Sequence, residues 1–167
     1  MTIPMTDHAD RPPLSDVAYD LVRDAILSGH CAPGEVVRAE DIARAVGCSA
    51  TPVNTAVDRL LRGGLLERNG KIRVTSPDAE TGRDAAATLR WFIDGLVVTP
   101  ARADAAYLAI RVLGHGNHAD LQGVRQVLLD LCDESSNRVL AEVLRQHLDG
   151  LLLKARRAAR GLVAVSA

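Results

Sequence analysis

Residues 38–64 read RAEDIARAVGCSATPVNTAVDRLLRGG, and the way this stretch divides decides what the chain can be. From Ala39 onward, Ile42, Ala43 and Val46 recur at helical spacing, and Gly47 follows where a left-handed residue would stop the helix. Ser49 or Thr51 can then cap a second helix, with Pro52 tolerated in its first turn, where backbone N–H groups have no intrahelical partner. That helix gathers Val53, Ala56, Val57, Leu60 and Leu61 on one face and leaves Ala50, Thr51, Asn54, Thr55, Asp58 and Arg59 on the other. Two short helices joined by a glycine turn, the second with a small polar outer face, predict a helix-turn-helix, whose second helix can enter a DNA major groove. An ordinary helical hairpin in a bundle has the same local pattern, so the flanking sequence has to decide.

Downstream, Leu65, Leu66 and Glu67 lead into Asn69-Gly70, the strongest two-residue hairpin signal. Residues 71–75 (KIRVT) alternate polar and apolar as a half-buried strand does. A helix-turn-helix followed by a β-hairpin is a winged helix, the hairpin being the wing. Upstream, Ser15 and Asp16 are expected to open a helix with Val17, Ala18, Leu21, Val22, Ala25 and Ile26 on its apolar side, ending at Gly29. Residues 31–34 (CAPG) form a turn, and Val36-Val37 supplies a short extended piece that can pair with the hairpin as a third strand.

The wider composition fits a helical protein. Hydrophobic residues make up 47% of the 167, but aromatics only 2%, so the core must be built from Leu, Val, Ala and Ile. No apolar run is long enough to span a membrane, and the polar start has no signal-peptide stretch, so a cytoplasmic location is expected. Cys31, Cys48 and Cys132 are too few and too scattered for a disulfide framework or a metal pattern, and are read as buried reduced thiols. Formal charge is −1, and residues 14–77 hold eight acidic and eight basic residues. Any affinity for nucleic acid therefore has to come from where charge is placed, not from its sum.

Three units are expected: a disordered arm over residues 1–13, with three prolines, a winged domain over 14–77, and an all-helical domain over 78–167. The last has helical segments near residues 79–98, 100–113, 119–132 and 136–161, with a break at residues 114–117 (GHGN). In its final helix Leu140, Leu144, Leu148, Leu151, Leu152 and Ala155 make an apolar stripe, with Lys154, Arg156, Arg157 and Arg160 near the C-terminal end. At fewer than about 90 residues and with few aromatics, this domain is expected to bury apolar surface against a partner subunit. Trp91-Phe92 is read as core or subunit contact, His115 and His118 as loop histidines in solvent, His147 as a satisfied, partly buried histidine, and Asp133-Glu134-Ser135 as a solvated helix break. None of these forms a catalytic pair, and no enzyme activity, cofactor or metal is expected.

The N-terminal half resembles the winged-helix domain of the GntR family of bacterial transcriptional regulators. The match is carried by residues 25–29 (AILSG), Pro33-Gly34, residues 38–42 (RAEDI), residues 45–47 (AVG), residues 49–53 (SATPV), Ala56, Leu60 and residues 64–66 (GLL). The resemblance implies a dimer that binds a palindromic operator in double-stranded DNA, with the second domain dimerising through its helices and sensing an unidentified small-molecule effector. The helical half is similar to the FadR-like (FCD) branch around residues 136–140 (SNRVL), as a shortened and divergent version. Where many members of that branch place an aspartate and a histidine on a metal, this chain has Val124 and Leu128, which cannot ligate one.

The family commonly has arginine where Ala50 and Asn54 stand, and arginine is the side chain that reads guanine bidentately. Asp58 continues the same stripe with a charge that phosphates repel. The residues expected to touch DNA are Arg38, Ser49, Thr51, Asn54, Thr55, Arg59, Gly70, Lys71 and Arg73. An alternative is a winged helix that has lost DNA reading and binds a protein, or a ligand, instead.

Overall fold

The structure is a computed structural model and describes residues 11–96, 99–113 and 118–164, without the side chains of 118–120 and 157–164. The arm at residues 1–10, the 114–117 break with His115, the His118 side chain, and those of Arg157 and Arg160 lie outside the described residues. The chain is mainly α: α1 (Leu14–Ser28), α2 (Ala39–Val46), α3 (Ala50–Arg62), β1 (Leu66–Asn69), β2 (Lys71–Val74), α4 (Ala79–Leu96), α5 (Pro100–Val112), α6 (His118–Glu134) and α7 (Arg138–Ala164). A winged helix-turn-helix with a small hairpin wing is followed by helices alone.

The helix-turn-helix forms as its spacing requires. Gly47 closes α2 at φ 71°, and its N–H bonds to the Ala43 carbonyl. Ser49 occupies the N-cap position of α3 with extended backbone, but its side chain makes no capping bond. Val53, Ala56, Val57 and Leu60 are buried beneath α3, against α1 and α2. The wing is antiparallel, pairing Leu66 with Val74 and Asn69 with Lys71. That register leaves Gly70 alone at the tip, which corrects the expected two-residue Asn-Gly turn. A type I′ turn needs positive φ at both central residues, and here only Gly70 has it, at 68°. The third strand is short but real: Val36 bridges Arg73, with Val37 N–H to Ile72 O at 3.0 Å and Val74 N–H to Glu35 O at 2.9 Å.

Helix α1 departs from its expected face. It starts at Leu14, directly after Pro13, with no side-chain cap from Ser15 or Asp16. Ala18, Val22, Ile26 and Leu27 are buried, whereas Val17 and Leu21 are 37% and 45% exposed. The helix is turned so that its Tyr19–Arg23 edge meets the helical half of the chain. Tyr19 donates a long hydrogen bond, 3.4 Å, to Asp149 of α7, and Arg125 of α6 donates to the same carboxylate at 2.6 Å. Asp149 is buried near the middle of α7, and these partners are what make its burial tolerable.

In the helical half, α4 lies along α7 in the most extensive helix pairing of the molecule, and α5 and α6 pack beside them. The apolar stripe of α7 is as expected: Leu144, Leu148, Leu152 and Ala155 are buried, with Leu140 and Leu151 partly so. Val124 and Leu128 are core residues at 3% and 0% exposure. Asn137 caps α7, its Oδ1 accepting from Leu140 N–H at 3.1 Å, and Asp78 caps α4, its Oδ1 accepting from Thr81 N–H at 2.7 Å. Phe92 is core, but Trp91 is 62% exposed. His147 is exposed, a correction to its reading as partly buried, because it sits at the edge of the apolar stripe and not on it. Of the thiols only Cys132 is buried; Cys31 and Cys48 are partly open. Burial pushes the Cys132 thiol above its ordinary pKa, and burial followed by Glu35 does the same for Cys31, so both are protonated at neutral pH.

One apolar cluster runs through both halves, from Ala18 and Leu60 to Leu148 and Leu152. The closest approach is backbone on backbone, where Gly150 of α7 meets Gly63 after α3. A Cβ at residue 150 would overlap the Gly63 carbonyl oxygen, so only glycine fits there.

Candidate nucleic-acid interface

The N-terminal part of α3 is open to solvent. Ser49, Ala50, Thr51, Asn54, Thr55 and Asp58 are all exposed, and no described part of the chain packs over them. Thr55 Oγ1 donates back to the Thr51 carbonyl at 3.3 Å, which fixes its hydroxyl and leaves its methyl outward. Asn54 has no hydrogen-bond partner among the described residues, so its amide keeps both donors and its acceptor for an outside group. Three cations frame this face without an ion pair among the described residues: Arg38 just before α2, and Arg68 and Lys71 on either side of the wing tip. Arg44, by contrast, is neutralised by Asp41 at 3.0 Å.

Two of the expected contact residues are held elsewhere. Arg59 is ion-paired to Asp16 and stacked on the Tyr19 ring at 4.4 Å, so it faces α1 and the helical half. Arg73 is half-buried, and its Nη1 donates to the Gly34 carbonyl at 2.9 Å, tying the wing to the preceding turn. The residue that sequence reasoning missed is Arg68. Its signal was there: it stands just before Asn69-Gly70, paired across the wing with Ile72, and is exposed.

The chemistry of the face is hydrogen bonding and methyl contact rather than charge. An asparagine amide matches the N6/N7 edge of adenine, and threonine methyl and hydroxyl groups match a thymine methyl or a phosphate. Asp58 puts a negative charge on the stripe, which repels phosphate. Among the described residues, no cluster of three or more His, Cys, Asp or Glu is arranged to hold a metal, and no helix is long and apolar enough to cross a membrane.

A winged helix-turn-helix with its second helix open to solvent is the architecture of a DNA-binding domain. Residues 14–75 match the model of the bacterial regulatory proteins, gntR family. The fold extends beyond it. The structure of E. coli McbR/YncC is similar with a TM-score of 0.58 and 18% identity, over 92% of this chain and 77% of that one. The crystal structure of a putative transcriptional regulator GntR from Rhodococcus sp. RHA1 is similar with a TM-score of 0.56 and 25% identity, over 86% and 72%. No curated protein sequence matches the chain.

Proposed function

We propose that the protein is a cytoplasmic transcriptional regulator that binds a palindromic operator as a dimer, and not an enzyme. Residues 14–77 read the DNA and residues 78–167, a divergent FadR-like helical domain, form the dimer and receive a small-molecule effector. The observation that carries the reading is the exposed polar face of α3, together with Arg38, Arg68 and Lys71, which have no ion pair among the described residues. Asn54, Thr51 and Thr55 enter the major groove, while the three cations and Ser49 contact the backbone, with Gly70 allowing the wing tip a close approach. With three such cations from each of two subunits, log Kobs falls with log salt at a slope of about −5, shallow for a repressor dimer.

The test is a fluorescence titration of the full chain against the DNA flanking its own gene at two salt concentrations. Binding that weakens with salt, and weakens further in Arg38→Ala and Lys71→Ala, supports the reading. Asp58 favours a second reading, in which the same face docks a basic protein surface. No DNA binding at low salt, combined with salt-sensitive binding to a protein partner that Asp58→Asn abolishes, establishes that second reading and overturns the first.

A further inference from the structure

We infer that the cleft between the C-terminal end of α3 and the middle of α7 binds a small molecule carrying two or more negative charges, and that this is where the effector acts. The inference rests on the regulatory reading above. The cleft has a volume of about 670 Å³, in the range of small-molecule sites. Tyr19 of α1 forms one wall, Arg59 and Arg62 of α3 another, and Glu142, Arg145 and His147 of α7 the third. Three guanidinium groups and the Glu142 carboxylate line it, while Asp16 and Asp133, outside the lining, pair with Arg59 and Arg145.

Two of the three arginines are held in place from outside. Arg59 is fixed by Asp16 and the Tyr19 ring; Arg145 is fixed by Asp133 and lies 3.9 Å from Glu142. A guanidinium has five donors in a rigid fork, and the recorded bonds occupy only part of each. Arg62 has no ion-pair partner among the described residues, nor does His147. Arg62 is thus the guanidinium with uncommitted donors, and an anion that bridges it to the spare donors of Arg59 and Arg145 joins α3 to α7. Such an anion meets preoriented donors, which lowers the ordering cost of binding. Tyr19 adds no negative charge of its own, since burial, and then Asp149, raise its phenol pKa.

The site is placed to act on the reading face. A dianion held by Arg59 and Arg62 on one side and by Arg145 and His147 on the other cross-links α3 to α7. Thr51 lies two to three turns away on the same helix, roughly 12–16 Å at the helical rise. Fixing the angle between α3 and α7 fixes where the two reading helices of a dimer stand, so bound anion and bound DNA alter each other's affinity by the same factor.

The experiment is isothermal titration calorimetry of the full chain with inorganic phosphate, succinate and citrate at matched ionic strength, paired with the DNA titration with and without each anion. Binding of at least one probe at one site per chain is expected. It should weaken about tenfold or more in the Arg62→Ala/His147→Ala double variant, which loses two charge-assisted or polar contacts. Arg111→Ala, an exposed arginine of α5 outside the cleft, should leave it unchanged. No binding of any of the three by a chain shown to be folded by circular dichroism overturns the inference, as does equal weakening in Arg111→Ala. DNA binding without anion binding removes this inference alone. Anion binding without DNA binding removes the regulatory reading and leaves the cleft as a ligand site.

Discussion

The two ends of α3 are built on opposite terms. At the start, Thr51, Asn54 and Thr55 stand exposed on a small polar surface, with no described part of the chain above them. Two turns on, Arg59 is paired and stacked against α1, Leu60 is fully buried, and the chain passes Gly63 in backbone contact with α7. One helix is therefore an open polar surface at one end and a structural joint at the other. Its orientation is set by the helical half of the molecule and not only by its own winged domain.

This contrast can be broken from the packed end. Leu60→Ala empties a fully buried site and is expected to cost about 2–5 kcal/mol in urea unfolding. A loss below about 1 kcal/mol would mean the joint is loosely packed. Gly150→Ala drives a methyl into the Gly63 carbonyl, and about 1–3 kcal/mol should be lost as overpacking, with a lower Tm by calorimetry. Asp16→Asn removes the charge from a pair that is more than one third exposed on both sides, so a change of at most about 1 kcal/mol is expected, smaller at high salt. Asn54→Ala, at the open end, should leave stability within about 0.5 kcal/mol, while DNA affinity measured by fluorescence titration falls by about 1–3 kcal/mol. An Asn54→Ala chain that keeps full DNA affinity would place base reading elsewhere.

The open end was the more legible one. Periodicity gave Val53, Ala56, Val57 and Leu60 as the buried side of α3 and left Thr51, Asn54 and Thr55 outside, because helical spacing is a local property. Gly47 and the wing strands were readable for the same reason. What the sequence could not show were the contacts made across more than a hundred residues. The turn of α1 that exposes Val17 and Leu21 follows from Tyr19 reaching Asp149, and no pattern within α1 contains that information. Arg59 and Arg73 look like any surface arginine in the sequence. Only the folded chain brings Asp16 and Tyr19 to the first and the Gly34 carbonyl to the second. Arg62 and His147 likewise came together only because α3 ends against the middle of α7.

The meeting of Gly63 and Gly150 has a mechanical consequence. Side chains between two helices normally act as a cushion, since rotamers shift and absorb small displacements. Here two main chains touch with nothing compressible between them. A slide or tilt of α7 is thus handed to the base of α3 without loss, and the far tip of that helix sweeps through the larger arc, as the free end of a short lever does.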